Sequence, residues 1–142
     1  MSTDNPSIYS KPAFRWLLVA LWMCVIYAFS NQAHSGEITE RLLHGANVPI
    51  RKCAHMFEYA VLYWLVRWAA LGIKRPTLIV PGFLAFCVTL LYAATDEWHQ
   101  SFVPGRSAQP QDVAVDMAGA VIASFLVPYF FVLKSFCSKT RN

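Results

Sequence analysis

Apolar residues fall into four long stretches separated by short polar ones. Trp16 to Phe29 is an unbroken run of 14 apolar residues, and the stretch without a charge continues to Gly36. A membrane-crossing helix needs about 20 predominantly apolar residues, so a first span is predicted over 14–32. No small-x-small cleavage site follows it, and the segment therefore reads as a retained span rather than a signal peptide. The second stretch, 51–73, is apolar but carries His55, Glu58 and Arg67. The third, 76–95, has 20 residues without a charge. Pro81-Gly82 near its start predicts a bend there, because proline removes a backbone donor. The fourth runs over 112–133, with Asp116 in its first turns and Pro128 toward its end. Residues 72–75 leave room for only a tight connection, so spans two and three should pair as an antiparallel hairpin.

The predicted fold class is all-α: a polytopic membrane protein with four transmembrane helices in a compact bundle. Tails at 1–13 and 134–142 flank a membrane domain over 14–133. Composition supports this class, since 56% of the 142 residues are hydrophobic and only 14% charged. Soluble domains run about 45–50% apolar and about 25% charged, and a disordered chain needs the opposite balance. The formal charge of +4 would suggest nucleic acid in a soluble protein. Here the basic residues sit at the ends of apolar runs and instead report orientation, so no nucleic-acid partner is expected. Eight of them (Lys11, Arg15, Arg67, Lys74, Arg75, Lys134, Lys139, Arg141) fall on one side, against Arg41, Arg51, Lys52 and Arg106 on the other. That asymmetry predicts both termini in the cytoplasm, a multi-pass protein of the cytoplasmic membrane, and outward-facing loops near 33–50 and 96–112. The four cysteines form no CxxC pair, so no disulfide or zinc framework is expected.

The outward half holds nearly all the polar residues that need explaining in a lipid environment. Arg51, His55, Glu58, Tyr59 and Leu62 recur at helical spacing and share one face, with Lys52 beside them. A second group, Asp96, Glu97, His99, Gln100 and Arg106, closes the third span. A third, Asp112 and Asp116, opens the fourth, with Gly119 and Ala120 on the same side, where small residues permit close packing. Up-and-down topology brings the three groups to one depth. An ionisable group at the centre of a bilayer costs about 2.5–3.5 kcal/mol on insertion scales, so these residues must face one another or an aqueous pocket.

Four readings of the cluster stay open. It can be an ion-paired clamp, with Arg51 or Arg106 against Glu58, Asp112 or Asp116. It can be a metal site drawn from His55, Glu58, His99 and one of Asp96, Asp112 or Asp116, although no HExxH fixes the ligands locally. It can be an acid–base site pairing Glu58 or Asp96 with His55 or His99. Or Arg51, Lys52 and Arg106 can receive a phosphate or carboxylate headgroup, with arginine favoured for bidentate contact. His34 and His44 read as solvated loop residues, and Trp16, Trp64, Trp68 and Trp98 as interface anchors or packing.

The motifs Arg51-Lys52-x-x-His55-x-x-Glu58-Tyr59, Asp96-Glu97-x-His99-Gln100-x-Phe102-x-Pro104-Gly105-Arg106 and Asp112-x-x-x-Asp116-x-x-Gly119 together resemble the VanZ-like family of small bacterial membrane proteins. Phe29-Ser30-x-Gln32 is similar to the same family's pattern, and the likeness covers about 14–125. The resemblance implies a cell-envelope protein linked to teicoplanin-type glycopeptide resistance. It supplies no mechanism and no cofactor.

Two functional expectations follow. In the first, the outward site binds or processes an anionic lipid-linked ligand or cell-wall precursor. Arg51, Lys52, Tyr59, Gln100, Arg106, Asp112 and Asp116 would contact or orient it, and His55, Glu58, Asp96, Glu97 and His99 would carry chemistry. In the second, the protein is a non-catalytic membrane scaffold whose polar cluster is a helix clamp. A transporter fits poorly, because four spans without repeat symmetry make alternating access hard.

Overall fold

A computed structural model describes residues 11–32, 47–72, 79–106 and 108–139, with backbone alone at 47 and 127–139. Four helices and no strand make up these residues: α1 (Pro12–Ser30), α2 (Asn47–Ala70), α3 (Ile79–Gln100) and α4 (Pro110–Lys139). His34, Arg41, His44, the connection at 73–75 and Arg141 lie outside the described residues.

Each helix carries a proline in its opening turn: Pro12, Pro49, Pro81 and Pro110. The first N–H groups of a helix have no intrahelical acceptor, so a proline there forfeits no bond, and its fixed φ suits the helix. The bend expected at Pro81-Gly82 falls in the opening turn of α3. Ile79 is the first described residue of α3, so Pro81 sits in its first described turn. At the far end α3 continues past residue 95 to Gln100, and α4 continues through Pro128 and past residue 133 to Lys139.

α2 is the central helix and touches the other three. It packs most extensively on α4, while α1 and α3 meet only marginally and α1 and α4 do not touch among the described residues. The end of α1 meets the end of α3, the end of α3 lies beside the start of α2, and α2 and α4 meet at their starts, so α1 and α3 run one way and α2 and α4 the other. Ile26, Tyr59, Leu62, Tyr63, Val66, Ala85, Ala93 and Ala120 fill the interior.

Gly119 brings α2 and α4 together. A Cβ built there would lie 2.0 Å from the Met56 carbonyl oxygen and 2.8 Å from its carbon, so only glycine lets the two backbones approach this closely. Buried Ala120 and Ala123 extend the same small-residue seam, as the sequence pattern around Gly119 predicts.

Two helices, Pro12–Ser30 and Ile79–Gln100, are long and apolar enough to cross a membrane. Only 17% and 28% of their most apolar windows are buried within the chain, unlike the core helix of a soluble protein. Leu17, Leu21, Phe83, Leu91 and Phe125 are exposed on the outside of the bundle.

Candidate functional site

The polar residues gather at one end of the bundle, and the helical repeat decides which way each one faces. Successive residues on α3 turn by about 100°, so Glu97 turns away from the side shared by Asp96 and His99, three apart. Asp96 and Gln100, four apart, look together toward α1 and α2. Glu97 looks toward α4, and His99 toward the outer edge of α1.

Asp96 is the acceptor of a buried network. Its Oδ2 takes hydrogen bonds from Ser30 Oγ at 2.8 Å, Tyr59 OH at 3.1 Å and Gln100 Nε2 at 2.9 Å. Three helices are thereby tied to one carboxylate oxygen, a set of charge-assisted bonds stronger than neutral ones. Oδ1 of the same group is buried without a hydrogen-bond partner.

Val103-Pro104-Gly105-Arg106 then folds the chain back. Gly105 has φ 76°, and the Arg106 N–H donates to the Val103 carbonyl at 3.2 Å. Proline followed by a glycine of positive φ matches the central pair of a type II turn. The turn aims Arg106 at the bundle, where Nη1 donates to Gln100 Oε1 at 3.1 Å and Nη2 to the Phe29 carbonyl at 2.8 Å. Burial and nearby Arg51 pull its pKa down from the usual arginine value, which leaves a guanidinium charged at any physiological pH.

Behind the turn, Glu97 Oε1 accepts the Gln109 backbone N–H just ahead of α4. The Asp112 N–H closes onto the Gln109 carbonyl at 2.8 Å. A carboxylate against the start of a helix is favourable both as a cap and toward the helix dipole.

Between α2, α3 and α4 lies a cleft of about 210 Å³. Arg51, Lys52 and His55 form one wall, Glu97 and Gln100 a second, and Gln109, Asp112 and Asp116 the third. Lys52 Nζ pairs with Asp112 Oδ1 at 3.2 Å, and His55 Nδ1 lies 3.5 Å from Asp116 Oδ1 and 3.9 Å from Glu58 Oε2. Asp116 is 2% exposed. The cleft thus sets a cationic wall against acids, with a histidine–carboxylate pair at its base.

Seven of the twelve predicted site residues line this cleft: Arg51, Lys52, His55, Glu97, Gln100, Asp112 and Asp116. The other five do not. Tyr59 is fully buried and committed to Asp96. Asp96 sits behind the cleft and reaches it through Gln100, and Arg106 bears on it through the same residue. Glu58 touches His55 from the side, while its backbone carbonyl accepts from Trp22 Nε1 at 2.9 Å. His99 stands apart, its ring 4.9 Å from Tyr27 and its Nε2 3.4 Å from Asn31 Oδ1.

The expected clamp pairs are replaced. Asp112 is held by Lys52, and Arg106 by two neutral oxygens, rather than by each other. The ligand set imagined for a metal does not converge, because His99 and His55 face different helices. Among the described residues no group of three or more His, Cys, Asp and Glu is arranged to hold a metal ion. Ser30, Phe29 and Gln109 are the participants that residue chemistry overlooks. Ser30 leaves one signal, a hydroxyl closing an otherwise apolar run, whereas Phe29 and Gln109 act through their backbones.

A family model described as VanZ/LLP1 matches residues 14–133. No curated protein and no solved structure matches the chain.

Proposed function

The chain belongs to the VanZ/LLP1 family, and from that premise we propose that it is a four-span protein of the cytoplasmic membrane whose outward cleft binds the anionic headgroup of a lipid-linked ligand. The observation carrying this reading is the wall of Arg51, Lys52 and His55 facing a cavity at the polar end of the bundle. Arg51 contributes a guanidinium suited to bidentate contact with phosphate. Lys52, steered by Asp112, adds a point charge, and Arg106 raises the local positive potential from behind Gln100. His55, oriented by Asp116, can accept or return a proton on a bound phosphate. Glu97 holds the start of α4 in place, and Asp96 fixes Gln100. The sorting of basic residues supports cytoplasmic termini, which puts the cleft at the outer surface. On family kinship alone, the proposal extends to cell-wall precursors and teicoplanin-type resistance.

Purified full-length protein in nanodiscs tests the binding. Retention of phosphatidylglycerol over phosphatidylcholine, read by native mass spectrometry, should fall about tenfold in Arg51→Gln, the size of one charge-assisted hydrogen bond. Equal retention by variant and wild type would falsify the reading. Topology is checked by a reporter fused after Asn142, where activity confined to the exterior overturns the orientation.

A second reading, a non-catalytic scaffold, is favoured by one observation: the cleft's walls are also the seam where Gly119 meets Met56 and Lys52 meets Asp112. A reversed pair, Lys52→Asp with Asp112→Lys, separates the two. A scaffold keeps abundance and phenotype, whereas a binding site keeps abundance and loses phosphatidylglycerol retention.

A further inference from the structure

Every wall of the cleft between α2, α3 and α4 carries polar groups, and most of them already have a partner. Lys52 meets Asp112 at 3.2 Å, and His55 lies 3.5 Å from Asp116. Gln100 donates to Asp96 and accepts from Arg106. Two groups are left over. Arg51 lines the α2 wall and makes no hydrogen bond or ion pair among the described residues. Glu97, 8% exposed, lines the α3 wall. Its Oε1 accepts the Gln109 N–H, while no donor reaches its Oε2, which is not closed off from solvent.

These two groups have opposite signs and stand on different walls of a space of about 210 Å³. A charge withdrawn from water stays costly until it is paired. A purely anionic ligand answers Arg51 and sets its charge against Glu97, and a purely cationic one does the reverse. A ligand carrying one charge of each sign answers both. The space is smaller than the roughly 300–1,000 Å³ of sites that enclose drug-sized molecules, so it suits a compact headgroup. A guanidinium takes two phosphate oxygens at once. A carboxylate oxygen takes an N–H from a primary ammonium, whereas a quaternary ammonium has none to give.

We propose that the headgroup bound in this cleft is zwitterionic, with its phosphate on Arg51 and a primary ammonium on Glu97, as in an ethanolamine phospholipid. The inference rests on the headgroup-binding reading of the cleft and narrows it to one class of ligand. Glu97 then has two uses, one oxygen holding the start of α4 and the other receiving the ammonium.

The test uses the full-length protein in nanodiscs holding equal parts phosphatidylethanolamine, its N,N-dimethyl form, phosphatidylcholine and phosphatidylglycerol, all with the same acyl chains. Retained lipids are counted by native mass spectrometry. Wild type should retain phosphatidylethanolamine over phosphatidylcholine by about tenfold, the contribution of one hydrogen bond to a charged group. The dimethyl form keeps one N–H and should follow phosphatidylethanolamine. Glu97→Gln keeps the side chain's shape and an oxygen for the Gln109 N–H, and it should remove the preference. Its thermal unfolding midpoint checks the fold, and the lipid series in wild type decides without it. Equal retention of the ethanolamine and choline lipids by wild type overturns the proposal. So does a dimethyl form that behaves as phosphatidylcholine does, since bulk rather than the N–H would then set the preference. A preference that survives in folded Glu97→Gln overturns it as well. Free phosphoethanolamine is the competing arm: its binding in place of the lipid moves the same chemistry to a soluble ester and overturns the lipid source. The two readings fail separately. Phosphatidylglycerol retention that is lost in Arg51→Gln keeps the cleft as a headgroup site even where the ethanolamine preference is absent, whereas no response of any lipid to Arg51→Gln overturns both.

Discussion

The two sides of the bundle are held together by different means. Along the α2–α4 seam, backbone meets backbone: Gly119 lies against Met56, and buried Ala120 and Ala123 continue the contact. Between α1 and α3 there is little packing, and the joint is made by polar side chains, with Ser30 on Asp96 and Tyr92 on the Met23 carbonyl. Close backbone packing fixes distance without spending polar atoms, which leaves Lys52, His55, Asp112 and Asp116 to line a cleft. Side-chain bridging spends its polar atoms on the joint and leaves space between the bridges, a cavity of about 410 Å³ among Tyr27, Tyr92, Trp98 and Phe102. A helix pair can be rigid or roomy, and this chain uses one arrangement on each side.

The comparison breaks most sharply at Gly119. Gly119→Ala places a methyl group against the Met56 backbone, which cannot move as a side chain can, and should destabilise by about 3 kcal/mol. Thermal unfolding in detergent reads this, and Gly82→Ala is its control. At position 82 a Cβ would meet only the Tyr63 hydroxyl at 3.7 Å, so alanine should be neutral or stabilising by about 1 kcal/mol through helix propensity. Comparable losses at the two positions would remove the special role of the seam.

On the other side, Tyr59→Phe and Ser30→Ala each delete one donor to the Asp96 carboxylate and should cost about 1.5 kcal/mol. The two donors share an acceptor, so the double variant should depart from additivity. Strict additivity would mean that Asp96 is not a common hub.

A smaller effect is expected at Lys52. Its pair with Asp112 is 44% and 34% exposed, and exposed pairs contribute about 0–1 kcal/mol. Lys52→Ala should therefore shift the melting temperature little while lowering phosphatidylglycerol retention. His99→Ala should do least, since among the described residues its ring meets the Tyr27 ring and makes a long 3.4 Å contact to Asn31. Its melting curve should overlay wild type within about 0.5 kcal/mol.

Helix number and approximate position are legible in the sequence because long apolar runs have few other solutions. The same holds for the Gly119 contact, since small residues at helical spacing mark close approach. The helix ends are less legible. Apolarity alone stops the third helix near Thr95, yet the backbone hydrogen bonds carry it to Gln100. That extra turn sets Glu97 on a different face from Asp96 and His99, and it explains why one predicted cluster resolves into a cleft, a buried hub and an outlying histidine. Pairing is the least legible level. Lys52 rather than Arg106 meets Asp112, because the turn at Pro104-Gly105 carries Arg106 across to α1, a direction that charge and spacing do not encode.

Arg106's bond to the Phe29 carbonyl spans 77 positions of sequence, and Ser30's bond to Asp96 spans 66. During synthesis the end of α1 therefore exists long before its partners do. At about 5–20 residues per second that interval is on the order of several seconds. A carbonyl and a hydroxyl must stay hydrated through it, which suits groups at the end of a helix rather than in its middle. The PGR turn is consequently a late latch: it can shut only after the third helix is in place, and until then the first helix leans on α2 alone.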